Sequence, residues 1–164
     1  MEINAERVIE LVKSVRPLFM DHERASRITV KGAADFVTQV DFLVQERMRS
    51  GLFDMYPQVQ FMGEEKDNRD IDFSGAVWIL DPVDGTTNLI HDFRCSALSL
   101  ALCDRGQMEL GIIYQPYEDE LFLAQRGKGA FLNGNPIHVS SVKDLGQSLI
   151  SIGTSPYNHD LADR

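Results

Sequence analysis

The N-terminal part of the chain has the hydrophobic periodicity of an amphipathic helix. Its apolar side chains recur at intervals of four, three and four residues, which places them on one helical face: Val8, Val12, Val15 and Phe19. Pro17 interrupts this face. Because an interior proline removes a backbone donor and clashes with the preceding turn, we expect a kink or a new helix start there, with helical structure fading by Ser26.

A second helical face follows a predicted loop at 31–33. It is formed by Val40, Leu43, Val44, Met48 and Leu52. Thr38 precedes these residues and is of a type that caps helices, since its hydroxyl can accept a hydrogen bond from a free backbone N–H. The pattern ends near Tyr56 and Pro57. The sequence therefore predicts a capped helix between Thr38 and Tyr56.

From Val59 onward the pattern changes to that of short β-strands. Apolar runs at 59–62 and 77–80 are separated by a polar stretch at 64–75 that predicts a solvated loop. Further strands are predicted at 95–104, 111–116, 121–125, 130–132, 137–140 and 149–153. The short turns between most of these strands indicate antiparallel hairpins.

Two helices followed by closely spaced strands are typical of the α+β class. We expect the two N-terminal helices to pack on one face of a largely antiparallel sheet. No repeat or linker divides the chain, so residues 1–164 are expected to form a single domain. After Ile152 the sequence is too short and too polar to cover the second face of the sheet, and we expect that face to need a cover from elsewhere.

Composition and charge restrict the class of protein. Hydrophobic residues make up 43% of the sequence and charged residues 25%, which is ordinary for a globular protein. No apolar run approaches the length of a membrane span, and the N-terminus has no apolar signal region, so we expect a cytoplasmic protein that does not bind membranes. The net charge of −9 disfavours binding to nucleic acid. An acidic protein can still take a phosphorylated substrate if its carboxylates hold divalent cations.

The segment WILDPVDGTTNLIH at 78–91 concentrates the candidate chemistry. Asp81 follows an apolar strand, Pro82 disfavours helix at Asp81, and Asp84 suits a tight turn. Two carboxylates therefore project from one short segment. The residues directly after Asp84 are small and begin a helix, so their backbone N–H groups form an arrangement that receives a phosphate.

The oxygen ligands of this segment favour Mg²⁺, which usually combines one or two carboxylates with water and phosphate oxygens. Glu64 also follows an apolar strand, and it joins the set if the two strands are neighbours. The histidines are scattered, which disfavours zinc. Each motif alone also fits a solvated turn, and it is their combination at two strand ends that favours a metal site. Metal ions at such a site polarise a phosphoryl group and activate water, so the residues indicate a phosphatase.

WILDPVDGTTNLIH, together with GEE at 63–65, resembles the inositol monophosphatase family, and the likeness extends to 31–41 and 111–140. The resemblance implies the first αβ part of a layered αβαβα sandwich. It also implies a Mg²⁺-dependent, lithium-sensitive phosphomonoesterase in which a metal-activated water attacks inositol monophosphate or a related small sugar phosphate. A homodimer is implied as well.

The resemblance assigns the metal ligands by position. Glu64 matches a glutamate that bridges the metals and serves catalysis, and Asp81 matches an aspartate shared between the metals. The carbonyl of Val83 matches a further ligand. Asp84 matches a ligand of the second metal and is expected to border the phosphate as well.

The resemblance also assigns the catalytic and phosphate-binding groups. Gly85 and Thr86 match the positions whose backbone N–H groups hold the phosphate. The Thr86 hydroxyl, oriented by Asp41, matches the pair that activates the attacking water. From the residues alone, Asp41 is better interpreted as a first-turn acid stabilised by the helix dipole.

One feature of the family has no match in the sequence. Family members continue to a Trp-Asp-x-Ala-Ala segment whose aspartate completes the second metal site, and nothing in 141–164 matches it. We therefore expect the chain to correspond to the N-terminal portion of a family member. Fructose-1,6-bisphosphatase and 3′-phosphoadenosine-5′-phosphate phosphatase, both of the same superfamily, are alternatives. Another is a non-catalytic metal-binding or interaction module that lacks the distal half of the site.

Overall fold

The described part of the chain begins with three short helices. The computed structural model describes residues 3–30, 36–64 and 68–151. The helices are α1 (Ala5–Lys13), α2 (Arg16–Phe19) and α3 (His22–Ala25). Pro17 lies in the first turn of α2, where its missing N–H costs no helical hydrogen bond. The predicted new helix start at this proline is therefore confirmed.

Helix α4 (Gln39–Met55) follows the capping and burial pattern that the sequence predicts. The Thr38 hydroxyl accepts a hydrogen bond from the Val40 N–H at 3.1 Å. At the other end, the Tyr56 N–H still donates to the Leu52 carbonyl at 2.8 Å. The apolar face is buried at Val40, Val44, Met48 and Leu52. Leu43 is only half-buried, because it lies at the border of this face.

A small hairpin precedes α4. Strands β1 (Ile28–Val30) and β2 (Phe36–Thr38) pair antiparallel. Sequence periodicity does not indicate these strands, because three residues are too few to establish an alternation. The loop predicted at 31–33 lies outside the described residues. Thr38 ends β2 and caps α4, so the hairpin helps to fix the start of that helix.

A seven-stranded sheet and one short helix complete the fold. The strands are β3 (Gln60–Gly63), β4 (Ala76–Asp84), β5 (Ala97–Asp104), β6 (Gln107–Gln115), β7 (Glu120–Gln125), β8 (Gly129–Leu132) and β9 (Asn135–Ile137). They lie side by side in chain order. β3 and β4 are parallel, and every other neighbouring pair is antiparallel. The short helix, α5 (Thr86–Ile90), joins β4 to β5. The predicted α+β class with a largely antiparallel sheet is confirmed.

Several strand boundaries differ from the prediction. β4 continues through Asp84 instead of ending at Leu80, and β6 begins at Gln107, before the predicted start at Gly111. Both extensions contain polar residues, at which the hydrophobic alternation is interrupted. Asp104 pairs with Gln107 in the ladder, for example, because a strand ends where backbone pairing ends and not where the side chains become polar.

The prediction of a strand at 149–153 is wrong for residues 149–151, which the structure describes. Residues 149–151 form no strand, and Leu149 and Ile150 are exposed. An apolar run becomes a strand only if its backbone groups find a neighbouring strand, and among the residues that the structure describes β9 pairs only with β8. Residues 152 and 153 lie outside the described residues.

The core lies between the helices and one face of the sheet. That face buries Trp78, Leu80, Leu100, Ile112 and Tyr114. The opposite face is apolar and open among the described residues: Ile113, which is 50% exposed, lies opposite Ser99 on one side and Phe122 on the other. Within the same ranges, no helix is long and apolar enough to cross a bilayer.

Candidate active site

The parallel pairing of β3 and β4 brings two carboxylates to one edge of the sheet. Gly63, the last residue of β3, lies opposite Leu80 of β4. The Glu64 N–H donates to the Leu80 carbonyl at 3.2 Å, so Glu64 continues alongside β4 next to Asp81. The condition set by the sequence, that these two strands are neighbours, is therefore fulfilled. Glu64 is exposed, and Asp81 is half-buried.

A β-bulge shapes the end of β4. Asp81 lies opposite Ser99 and Asp84 lies opposite Ala97, so β4 advances three residues while β5 advances two. Asp81 is thus inside the strand, and the prediction that it directly follows the strand is wrong. Pro82 fits the bulge because proline has no N–H group and the residue at this position donates no hydrogen bond to the neighbouring strand. The Val83 N–H donates to Asp81 Oδ1 at 3.1 Å, which fixes one oxygen of that carboxylate.

Negative charge accumulates at this edge of the sheet. Burial, the hydrogen-bonded and charged Glu64 and the charge of Asp84 together raise the pKa of Asp81 to about 7, while the Val83 N–H opposes the rise. Burial and like charges both disfavour an ionised carboxylate. A divalent cation at this position would relieve the repulsion between the three carboxylates.

Asp41 and Thr86 form a second part of the site. Asp41 is only 2% exposed, and its Oδ2 accepts hydrogen bonds from the Thr38 N–H at 2.8 Å and the Thr38 hydroxyl at 2.6 Å. The Thr86 hydroxyl lies 3.1 Å from Asp41 Oδ1 and 3.0 Å from the Val83 carbonyl oxygen. Asp41 is therefore a first-turn acid of α4, as the residues suggest, and also a partner of Thr86, as the resemblance implies.

Gly85 joins the bulge to α5 in a left-handed conformation, with φ of 89°. A Cβ atom at this position would lie 3.0 Å from the Cys95 carbonyl oxygen, so glycine is required both by the dihedral angle and by the space. The Ser96 hydroxyl donates to the Gly85 carbonyl at 2.9 Å, and Asn88 Nδ2 donates to the Cys95 carbonyl at 2.7 Å. Sequence reasoning missed Ser96 and Asn88 as supports of this junction, because such bonds between distant segments leave no periodic signal.

The oxygen atoms at this site suit Mg²⁺, which completes its coordination with water and phosphate, better than they suit a metal ion that is coordinated by protein atoms alone. Within residues 3–30, 36–64 and 68–151, no group of three His, Cys, Asp or Glu side chains is arranged to hold a metal ion by itself. Among the described residues, the carboxylates that interact at this position are those of Glu64, Asp81 and Asp84, and all of their donor atoms are oxygen. Mg²⁺ is usually bound by one or two carboxylates and completes its six positions with water and phosphate oxygens, so an incomplete, acidic oxygen set suits it.

Comparison with known proteins gives sequence relatives over most of the chain. The sequence profile of the inositol monophosphatase family matches residues 1–162. An inositol monophosphatase of Dictyostelium discoideum is 39% identical over 150 residues, which cover 89% of this chain and 55% of that protein. The chain thus spans about half the length of the curated relatives it matches.

Solved structures show the same architecture. The extragenic suppressor protein suhB from Bartonella henselae superimposes with a TM-score of 0.76 at 32% identity, over 84% of this chain and 54% of that chain. The structure of inositol monophosphate bound SaIMPase-II superimposes with a TM-score of 0.75 at 27% identity, over 91% of this chain and 54% of that chain. The arrangement of helices and sheet described above is therefore shared with these two proteins.

Proposed function

This chain belongs to the inositol monophosphatase family, and on that premise we propose that it supplies the metal and phosphate site of a Mg²⁺-dependent phosphomonoesterase. The proposed substrate is inositol monophosphate or a related small sugar phosphate. The observation that carries the proposal is the meeting of Glu64 and Asp81 at one sheet edge, joined through Val83 to the Thr86–Asp41 pair. Residues 1–164 are proposed to be a single domain that corresponds to the N-terminal portion of longer relatives.

The proposed metal ligands are the carboxylates of Glu64, Asp81 and Asp84 and the carbonyl of Val83. The raised pKa of Asp81, about 7, supports this assignment because it reflects burial first and then the neighbouring carboxylates of Glu64 and Asp84. The Val83 carbonyl accepts the Thr86 hydroxyl and keeps a second lone pair for a ligand. When bound, Mg²⁺ would polarise the phosphoryl group and lower the pKa of a water molecule. Glu64 is proposed to serve catalysis through its place in this ligand set.

Thr86 and Asp41 are proposed to handle the proton of the attacking water. The Thr86 hydroxyl has one proton, which it can donate to Asp41 Oδ1 or to the Val83 carbonyl. Its lone pairs are then available to accept a hydrogen bond from water. Because Thr38 fixes the other oxygen of Asp41, the carboxylate keeps its orientation while it accepts the proton that Thr86 passes on.

The phosphate is proposed to lie at the start of α5. The first backbone N–H groups of a helix have no partner within the helix, so those of Gly85 and Thr86 are suited to bind phosphate oxygens. Asp84 is the preceding residue and is exposed, which places its carboxylate where a cation could bridge it to the phosphate.

The proposal also includes the oligomeric state, the cellular location and the binding partners of the enzyme. We propose a homodimer in the cytoplasm that Li⁺ inhibits, as the sequence and its resemblance predict. The net charge of −9 argues against nucleic acid as a partner. The proposed partner of the site is a small phosphorylated molecule, in line with SaIMPase-II, which was solved with inositol monophosphate bound.

The test is phosphate release by this chain from inositol 1-phosphate, fructose 1,6-bisphosphate and 3′-phosphoadenosine 5′-phosphate, with and without Mg²⁺ and Li⁺. We expect Mg²⁺-dependent release, greatest from inositol 1-phosphate and suppressed by Li⁺. Release from only one of the other two substrates would transfer the assignment to that alternative. Mg²⁺ binding without release from any substrate would favour the non-catalytic module.

A further inference from the structure

Gly63, the last residue of β3, is held by a side chain from the loop that follows it. Asn68 Nδ2 donates a hydrogen bond of 2.7 Å to the Gly63 carbonyl oxygen. The carbonyl of Gly63 and the N–H of Glu64 belong to the same peptide group. Since the Glu64 N–H donates to the Leu80 carbonyl at 3.2 Å, this peptide is fixed at both of its polar atoms.

Helix α4 also constrains Gly63. Gly63 is buried, and a Cβ atom on it would overlap the side-chain amide of Gln45 and lie 3.0 Å from Phe61 Cε1. Gln45 is one helical turn after Asp41, so the same helix that orients Thr86 also packs against the end of β3. A side chain at position 63 would displace the Gln45 amide, so the end of β3 lies in close contact with α4.

Among the described residues, only one of the two polar atoms of the Asn68 side-chain amide forms a hydrogen bond. Its Nδ2 donates to Gly63, while its Oδ1 is buried without a hydrogen-bond partner. A buried polar atom without a partner is uncommon in folded proteins and calls for an explanation. The reverse orientation of the amide would direct Oδ1 at the Gly63 carbonyl and lose the bond. Among the residues that the structure describes, the hydrogen bond to the Gly63 carbonyl is the one polar contact of this side chain.

We propose that Asn68 is a positioning residue for the metal site: by holding the Gly63–Glu64 peptide, it fixes the direction in which the Glu64 side chain leaves β3. The inference rests on the proposed function, because it assumes that Glu64 is a metal ligand. Asn68 itself touches neither metal nor substrate. Its effect is on the geometry of one ligand, and small errors in ligand placement weaken metal binding.

Gln60 provides a matched control. Its side-chain amide ties the same loop at the other end of β3, since Nε2 donates to the Asp72 carbonyl at 2.7 Å and Oε1 accepts from the Asp72 N–H at 2.9 Å. Gln60→Ala removes an amide clamp from this loop without touching the Gly63–Glu64 peptide. A role of Asn68 in loop stability alone would make the two variants behave alike.

The experiment measures Mn²⁺ affinity of the whole chain by electron paramagnetic resonance, with circular dichroism to check folding. Mn²⁺ prefers the same oxygen ligands as Mg²⁺ and is directly observable. We expect Asn68→Ala to weaken Mn²⁺ binding by about tenfold or more, and Gln60→Ala to leave it unchanged. Asn68→Ser keeps a shorter donor, is expected to lie between wild type and Asn68→Ala, and serves if the alanine variant does not fold.

Glu64→Gln distinguishes the possible failures. We expect it to weaken Mn²⁺ binding, and Asn68→Ala added to it to have no further effect, because the ligand that Asn68 positions is already lost. If Glu64→Gln weakens binding but Asn68→Ala does not, or if Gln60→Ala weakens it equally, the role of Asn68 is overturned and the metal site stands. If the wild-type chain does not bind Mn²⁺, both the proposed function and this inference are overturned.

Discussion

Asp81 shows how a single residue can work against folding when no cation is present. Its pKa is raised to about 7, by burial first and by Glu64 and Asp84 next. A raised carboxyl pKa means that the folded chain binds the proton more tightly than the unfolded chain does. The ionised side chain therefore opposes folding above about pH 7, and this opposition is relieved as the pH falls toward the unfolded pKa of about 3.9.

We expect the metal-free chain to lose thermal stability relative to Asp81→Asn as the pH rises from about 5.5 to about 8, because only the wild-type chain has to ionise this carboxyl group. At about pH 8 the variant is expected to be the more stable of the two. Thermal unfolding in the presence of a chelator, followed by circular dichroism across this range, measures the difference. Parallel pH profiles of the two proteins would contradict the assigned crowding of carboxylates.

Thr86 is expected to be needed for turnover through its hydroxyl. Thr86→Ala should lower kcat for phosphate release by about 100-fold or more, which is the range for loss of a proton-transfer group. Thr86→Ser keeps the hydroxyl that Asp41 orients and should retain most of the activity. Steady-state kinetics of phosphate release separates kcat from KM. An alanine variant as active as the serine variant would remove Thr86 from the catalytic role.

For single residues, the sequence predicts the local position in a helix or strand better than it predicts the hydrogen-bond partner. The position of Asp41 in the first turn of α4 follows from local pattern, and the capping hydrogen bonds to Thr38 agree with it. Its bond to Thr86 joins segments 45 residues apart, which no local pattern encodes. Only the resemblance to a known family indicated that pair.

Among the elements, the junction of β4, the bulge and α5 depends most on one residue. Gly85 has φ of 89°, and Gly127 in the turn before β8 has φ of 72°. A Cβ atom at Gly85 would crowd the Cys95 carbonyl at 3.0 Å, whereas nothing lies within 4 Å of one at Gly127. The two glycines therefore share a left-handed backbone conformation, which would be strained for any other residue, and differ in the space around them.

Gly127→Ala is expected to lower the free energy of unfolding by about 1–2 kcal/mol, the cost of a left-handed non-glycine residue. Gly85→Ala should cost clearly more, because the Cys95 carbonyl must also move. Urea denaturation of both variants measures the two losses. Equal losses would mean that the junction can adjust freely, contrary to the close packing described here.

The elements also show where local pattern stops being sufficient. α4 carries a clear apolar face and a cap, and both its ends were predictable. β1 and β2 are too short to show an alternation, and their pairing depends on each other. Residues 149–151 have an apolar pattern but no neighbouring strand within the described part of the chain, and the predicted strand does not form there. The parallel pairing of β3 and β4 arises from the tertiary structure and not from a local sequence pattern, and the candidate site depends on this pairing.

For the whole molecule, the α+β class was predictable because two amphipathic helices precede a series of short strands. The same reasoning predicted an uncovered face of the sheet. Among the described residues, that face carries Ile113, Phe122 and Ile137 and is open, with a shallow apolar groove of about 270 Å³. The curated relatives in which the chain finds its matches are about twice as long as the chain.

The open face is expected to bind the hydrophobic dye ANS in the folded chain. Ile113→Lys places a charge at the centre of the face and should reduce the fluorescence of the bound dye. Phe53→Lys is the matched control, because Phe53 is a similarly exposed apolar residue, 59% exposed, on helix α4. Equal reductions in both variants would show that the dye does not report on this face.

Calorimetric titration of the chain with Mg²⁺ tests the proposed metal site most directly. The wild-type chain is expected to bind Mg²⁺, and Asp81→Asn is expected to abolish that binding without loss of fold. Asp104→Asn, which changes a carboxylate at the opposite end of the same sheet, next to Arg105 at 3.5 Å, should bind as the wild type does. Absence of Mg²⁺ binding by the wild-type chain, or equal binding by wild type and Asp81→Asn, would contradict the proposed metal site.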